Sequence, residues 1–157
     1  MEFVYDRTHA DVDLVIELTK KYQNGTITDA EKEIWNTGMK GAINAEDLNR
    51  IESNIFAIAS RMGILEKIQK CRTDWEKTDI PRPDDYERIR ANTRTIKSAL
   101  RYSTGVASVP ERPFNTYDKW NDIERILYDI DDMYTRIIDS LYHCGDNLYA
   151  GEEVGVI

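Results

Sequence analysis

The sequence predicts an all-α fold: a helical bundle of about five helices, two of them long and patterned in heptads. Capping residues repeatedly precede runs in which apolar residues recur every three or four positions, which is typical of helices that pack on one face. We therefore expect one helical bundle domain over residues 1–145, with no sheet larger than a hairpin. Residues 146–157 show no periodicity and are expected to form a flexible C-terminal tail.

Two helices are expected near the start of the chain. Thr8 is followed three residues later by a carboxylate, the pattern of a capping box, and predicts a helix that runs to about Asn24. Thr28 opens a second, shorter helix in the same way, and this helix ends near Gly38.

The third helix begins after Asn44 and carries the first heptad stripe. Steps of three and four residues between apolar side chains are the spacing of a helix that packs lengthwise on another helix. The residues at this spacing are Leu48, Ile51, Ile55, Ile58, Met62 and Leu65. Gly63 interrupts the stripe and is expected to end or kink the helix.

A connector from Cys71 to Pro83 precedes the fourth helix. Each of its prolines disfavours helical geometry in the preceding residue, and Pro83 suits the first turn of a helix. The fourth helix is expected from about Asp84 to Tyr102, with its arginines on an outer face that meets solvent or an acidic neighbouring helix. Residues 103–115 are expected to form a loop.

The last helix, capped by Thr116 and ending at Gly145, carries the second heptad stripe and the strongest structural signal of the chain. The stripe consists of Trp120, Ile123, Leu127, Ile130, Tyr134, Ile137, Leu141 and Cys144. Because the inward positions of the predicted helices are almost wholly aliphatic or aromatic, we expect no buried pair of carboxylates.

Charge and hydropathy exclude several classes of partner. The net charge is −8, from 29 acidic and 21 basic residues, which argues against nucleic acid. No apolar run approaches the roughly 20 residues of a membrane-spanning helix. Two distant cysteines and no secretory leader indicate synthesis in a reducing cytoplasm.

The two heptad helices share a short element. Asn49-Arg50-Ile51-Glu52 aligns with Asn121-Asp122-Ile123-Glu124, and the apolar matches continue beyond both. A heptad forces the apolar matches but not the Asn and the Glu, so an internal duplication and a shared pattern both remain open.

The run from Gly38 to Glu52 resembles the signature G-x-K-G-A-x-N-x-x-D-L-N-R-x-E of tail-associated and minor structural proteins in phages and prophages of Gram-positive bacteria. The stretches Thr73–Pro81 and Tyr117–Glu124 are similar to segments that follow in the same order in those proteins. The resemblance implies a structural role, with other phage tail or structural proteins as partners, a place in the virion tail after synthesis, and no catalytic or ligand-binding residue.

Residues of the types that bind metals or act in catalysis do not form a recognisable site in the sequence. His9 and His143 lack partners at metal-ligand spacing, and three aspartates near residue 130 lie within a helix rather than in a calcium loop. Cys71 and Cys144 are expected to be free thiols. We therefore expect no catalytic, cofactor-binding or metal-binding residues, and no enzymatic activity.

Function is thus expected to reside in surfaces that bind other proteins or a second copy of the chain. The candidate partner-binding residues are Trp75, Ile80, Val109, Phe114, Leu148 and Tyr149, since they are apolar and lie outside the stripes. Trp75 could equally pin the connector to the core, the role expected of Trp35 and Trp120. The alternative function is a small bacterial cytoplasmic adaptor or regulator that binds a partner protein through its helical faces.

Overall fold

The computed structural model describes residues 1–100, 104–111 and 116–145, and in this part of the chain it confirms the all-α prediction. Five α-helices and one turn of 3-10 helix form there, without a strand. They are α1 His9–Gln23, α2 Asp29–Thr37, α3 Ala45–Arg61, the 3-10 turn Leu65–Lys67, α4 Pro83–Ala99 and α5 Tyr117–Gly145.

The predicted capping boxes begin the first three helices. The hydroxyls of Thr8 and Thr28 and the side-chain oxygen of Asn44 each accept a hydrogen bond from the backbone three residues later. The carboxylate at that third position bonds back to the cap, so two otherwise unpaired backbone donors are satisfied at each helix start.

The bundle core lies between α3, α4 and α5, which pack on one another along their lengths. Both heptad stripes supply it, as predicted: Ile51, Ile55, Ile123, Leu127 and Ile130 are each 0% exposed. Leu65 was wrongly placed in the stripe. Because α3 ends at Arg61 and Gly63 adopts a φ of 66°, the chain turns away and leaves Leu65 38% exposed.

The fourth helix differs from the prediction at its end, and its arginines divide: Arg88 contacts the acidic Glu52 of α3, as expected, whereas Arg90 contacts a loop. Pro83 stands in its first turn as expected, but the helix ends at Ala99. Arg90 is only 8% exposed, so the arginine face is partly buried. Its guanidinium donates to the carbonyl of Pro110 and to the carboxylate of Glu111, which ties the loop to α4.

The first two helices form a hairpin that buries little of its own surface. Helix α2 has no buried residue, and α1 has only Leu18. The expectation that Trp35 pins a loop to the core is wrong: its ring stacks on Tyr22 of α1, with 5.7 Å between ring centres, and joins the two helices. Trp120, in contrast, is 4% exposed and lies in the core.

A close backbone contact fixes the turn between this hairpin and α3. A Cβ atom added to Gly41 would lie 2.2 Å from the carbonyl oxygen of Asp11, far inside van der Waals contact. Only glycine therefore allows this turn to lie against the start of α1. None of the described helices combines the length and the apolar character needed to cross a membrane.

Candidate functional site

Two Asn/Glu pairs, each with a half-buried asparagine and a fully buried glutamate, are the main polar feature of the bundle. We call Asn49 and Glu52 the α3 pair, and Asn121 and Glu124 the α5 pair. Each pair binds one extended segment: the connector segment (residues 71–75) lies on the α3 pair, and the N-terminal segment (residues 3–7) lies on the α5 pair.

The α3 pair bonds to the backbone of the connector segment at two points. The amide N–H of Trp75 donates to Asn49 Oδ1 at 2.8 Å, and Asn49 Nδ2 donates to the Trp75 carbonyl at 3.0 Å. Three residues earlier, the N–H of Arg72 donates to Glu52 Oε2 at 2.8 Å. The indole N–H of Trp75 donates to Glu52 Oε1 at 3.1 Å. The pair thus fixes both the backbone and the indole.

The α5 pair repeats this arrangement on the N-terminal segment. The N–H of Arg7 donates to Asn121 Oδ1 at 3.2 Å, and Asn121 Nδ2 donates to the Arg7 carbonyl at 2.8 Å. Again three residues earlier, the N–H of Val4 donates to Glu124 Oε2 at 2.8 Å. Arg7 Nη2 donates to Glu124 Oε1 at 2.9 Å and takes the place of the Trp75 indole.

An arginine from a neighbouring helix completes each pair. Arg88 of α4 donates through Nε and Nη2 to the two oxygens of Glu52, at 3.0 and 2.6 Å. Arg50 of α3 contacts Glu124 through the same two atoms, at 3.2 and 2.8 Å. The pKa of Arg88 is raised chiefly by its hydrogen bonds to Glu52. Both arginines also pair with an aspartate three residues earlier on their own helix.

These bonds occupy both oxygens of each glutamate. Each carboxylate accepts four hydrogen bonds, which matches its approximately four lone-pair sites. Glu52 and Glu124 are both 0% exposed. Glu124 also shares the guanidinium groups of Arg7 and Arg50 with Asp47, which is 6% exposed, so the expectation that the bundle holds no buried carboxylate pair is wrong. The two carboxylates therefore hold the extended segments and the neighbouring arginines in place.

Trp75, at the end of the connector segment, and the residues that follow it up to Pro81 form one wall of a cleft of about 290 Å³. The other walls come from the end of α2 and from the turn that leads into α3. Apolar lining is supplied by Trp35, Ile43, Ala45, Leu48, Trp75 and Pro81. Polar lining is supplied by Asn36, Thr37, Asn44, Glu46, Glu76, Lys77 and Asp79. The cleft is thus a mixed surface next to the best-anchored part of the connector.

The structure places the candidate partner-binding residues in different environments, which range from buried to almost fully exposed. Trp75 is 5% exposed, so its side chain belongs to the core, with only part of it facing the cleft. Ile80 is 86% exposed and stands between two cleft residues. Val109 is half-buried against the core. Phe114, Leu148 and Tyr149, and with them the predicted tail, lie outside the described residues.

The described part of the chain contains no group of three or more His, Cys, Asp or Glu residues placed to hold a metal ion. Comparison with known proteins found no family model, no characterised protein and no solved structure that matches the chain.

Proposed function

We propose that the chain is a structural, tail-associated module of a phage or prophage, which assembles with other tail proteins through exposed surfaces and catalyses no reaction. The observation that carries the proposal is the run from Gly38 to Glu52, which meets the signature of such proteins at nearly every position.

The positions of that run in the bundle support the proposal. Gly41 allows the close contact with α1, Asn44 caps α3, and Asn49, Arg50 and Glu52 make the buried contacts with the extended segments and with Glu124. A signature made of such residues marks a folding unit, because their loss would disrupt packing rather than chemistry. Chains that share it should share the bundle and differ in their surfaces.

The saturated glutamates are a second support. The most deeply buried ionisable groups hold segments in place, and nothing in their surroundings leaves an acceptor free for a substrate. The cleft lined by Trp35, Trp75 and Pro81 is an open surface next to Glu52, which favours binding through contact area.

The proposal is tested in a lysogen that carries the gene. After induction, purified particles are analysed by mass spectrometry, and an antibody against the chain is used for immunogold labelling. We expect the chain in the particles and gold at the tail. Its absence from particles, with major tail proteins detected in the same sample, would contradict the proposal.

Gene order gives an inexpensive second test, since tail, baseplate, holin or lysin genes should flank the gene. A chain that is absent from particles but binds a cytoplasmic host protein through its helical faces would be an adaptor instead. Light scattering on the purified chain tests whether it forms a homo-oligomer.

A further inference from the structure

A second open surface lies between α3 and the chain that follows it. This groove, of about 300 Å³, forms where residues 65–73 pass the outer face of α3. Its apolar lining is Phe56, Leu65, Ile68 and Cys71, and its polar lining is Gln69, Lys70 and Thr73. Phe56 is 51% exposed and Leu65 is 38% exposed, so the groove is an apolar surface that the described residues leave uncovered.

The charge at one end of this groove is opposite in sign to that of the whole chain. Lys70 lies in the lining, and Lys67 and Glu66 stand on the 3-10 turn beside it. Both lysines are exposed, and neither side chain has a hydrogen bond or ion pair with a described residue. At the other end Asp74 is paired with Arg72. Two lysines against one glutamate thus leave the rim at the turn net positive, whereas the chain carries −8.

The end of α5 lies within reach of the groove. Near its start α3 contacts α5 through Arg50 and Glu124. At its end the carbonyl of Arg61 accepts a hydrogen bond from the hydroxyl of Tyr134, so the two helices run parallel. Helix α5 continues past the end of α3 for about 17 Å beyond Tyr134, at about 1.5 Å per residue. Residues 146–157 span up to about 40 Å when extended, which is enough to return to the groove.

The composition of the last of these residues complements the groove. We call residues 152–157 the C-terminal segment, in which two glutamates, Glu152 and Glu153, precede three apolar residues, Val154, Val156 and Ile157. The groove likewise has two lysines next to an apolar surface. Seven residues beyond α5 span up to about 23 Å, so these are also the residues that reach it.

We propose that the C-terminal segment binds in the groove of its own chain. Its apolar residues cover Phe56 and Leu65. Its two glutamates lie beside Lys67 and Lys70. The chain's own segment is favoured over a second copy because a short connection that spans the sites gives an effective concentration of about millimolar order. A partner protein that binds this surface must first displace the segment. The inference concerns the isolated chain and does not depend on a role in a phage.

The test places a photo-crosslinker in the C-terminal segment of the full chain, as Val156→p-benzoylphenylalanine. This chain is mixed with an equal amount of isotope-labelled wild-type chain at about 10 μM, far below the effective concentration of a tethered segment, then irradiated and digested with trypsin. We expect peptide 137–157 to be cross-linked to peptides 51–61 and 62–67, which contain Phe56 and Leu65. Most cross-links should join two unlabelled peptides, since the segment and the groove belong to one chain.

Matched variants locate the contact. Phe56→Ser with Leu65→Ser should lower the yield of these cross-links at least about fivefold, because the two substitutions remove the apolar surface that the segment covers. Leu14→Ser with Ile16→Ser is the control: these residues are 42% and 45% exposed but lie on α1, outside the groove lining. The control pair should leave the yield unchanged.

The glutamates of the segment are tested separately. Glu152→Gln with Glu153→Gln should lower the yield about two- to threefold, a modest effect because ion pairs at an exposed rim contribute little. An unchanged yield would remove the contact with the lysines.

The inference is overturned if no cross-link forms, if the cross-links lead mainly to other parts of the chain, or if the control pair lowers the yield as much as the groove pair. Cross-links that join labelled to unlabelled peptides as often as random mixing allows would mean that a second copy occupies the groove. These results are independent of the particle experiment: absence of the chain from particles removes the proposed function and leaves the groove and its occupant unaffected.

Discussion

The α3 pair and the α5 pair bind extended segments with the same set of hydrogen bonds, but the segments reach them from different distances along the chain. The connector segment bonds to α3 across 20 to 26 residues, whereas the N-terminal segment bonds to α5 across 114 to 120 residues. The bonding pattern is therefore a property of the Asn/Glu pair, and it does not depend on the local course of the chain.

The two glutamates differ in the charge of the groups that donate hydrogen bonds to them. Glu124 receives two guanidinium groups, from Arg7 and Arg50, whereas Glu52 receives one guanidinium and the neutral indole of Trp75. The side chain of Arg7 is 1% exposed and that of Arg88 is 17% exposed. The same geometry thus accepts either a charged donor, Arg7, or a neutral donor, the Trp75 indole, at the equivalent carboxylate oxygen. Only the arrangement with Arg7 buries a second guanidinium beside the glutamate.

The largest difference in stability between the two sites is expected when the glutamate of each pair is replaced by glutamine. Glu124→Gln leaves the buried guanidinium of Arg7 with Asp47 as its only carboxylate, and breaking a buried ion pair in this way typically costs about 3–5 kcal/mol. Glu52→Gln should cost about half as much, because Arg88 keeps Asp85 and some solvent contact. Urea unfolding followed by circular dichroism measures both.

The control for these variants is Glu66→Gln, on an exposed position of the 3-10 turn, which should change stability by less than about 0.5 kcal/mol. Equal losses in Glu124→Gln and Glu52→Gln would mean that the second buried charge makes no difference.

Replacing one asparagine at a time should affect only the segment that it binds. Asn121→Ala and Asn49→Ala each remove two hydrogen bonds to backbone, with a net cost of about 1 kcal/mol per bond. Hydrogen exchange should accelerate at the Arg7 amide in the first variant and at the Trp75 amide in the second. The increases should be similar in size, because the connector is also held at Gln69 by Asn92 and the N-terminal chain is also held at Glu2 by Asn54.

Each variant serves as the control for the other. Acceleration at both amides in either variant would show that the two segments open together, as one cooperative unit.

Acid should weaken the N-terminal side first. Hydrogen bonds from the hydroxyl and the amide of Thr8 lower the pKa of Asp11, and Lys21, together with Thr28, lowers the pKa of Glu31 to about 2. A carboxyl whose folded pKa is depressed stabilises the protein above its unfolded pKa, 4.5 for Glu31, and loses that contribution as the pH falls through the folded value. The NMR signal of the Thr28 amide should therefore shift between about pH 4.5 and 2, and that of the Thr8 amide, bonded to Asp11, should shift below about pH 3.8.

The double variant Asp11→Asn, Glu31→Gln should show a flatter dependence of stability on pH over that interval. An unchanged pH profile would mean that the capping carboxylates do not contribute to acid sensitivity.

The smallest effect is expected at Cys71, which lies in the connector segment and reports on its opening. Burial raises the pKa of this thiol to about 11, and the charge of Glu52 adds to the shift. In a Cys144→Ser background, alkylation by iodoacetamide at pH 8 should be slow, because the thiolate is scarce. Asn49→Ala should accelerate it and Asn121→Ala should not; the reverse order would contradict the assignment of the segments.

Local signals in the sequence predicted the helices well. The capping boxes at Thr8, Thr28 and Asn44 involve residues three positions apart, so their bonding follows from local geometry. The heptad stripes predicted the core of α3 and α5 for the same reason. The end of α4 was placed three residues too late, since no glycine or proline marks Ala99.

The buried glutamates were missed because a carboxylate in a helix is ordinarily solvated. A signal existed nevertheless. Glu52 is four residues after Leu48 and three before Ile55, and Glu124 has the same relation to Trp120 and Leu127, so both stand on the inward face of their helices. Their partners could not be predicted, because Arg88 and Arg7 reach them across 36 and 117 residues.

The reach of the N-terminal segment also affects how the chain folds during synthesis. Asn49 and Glu52 have already been translated when Trp75 is added, so the connector segment finds its helix at once. Arg7 must wait for Asn121, which follows 114 residues later. At about 5–20 residues per second, that delay lasts roughly 6 to 23 s. For that time a nascent chain carries an extended segment without its helix, and Arg7 has Asp47 but not Glu124 as a carboxylate partner; ribosome-bound chaperones are the factors that would meet it.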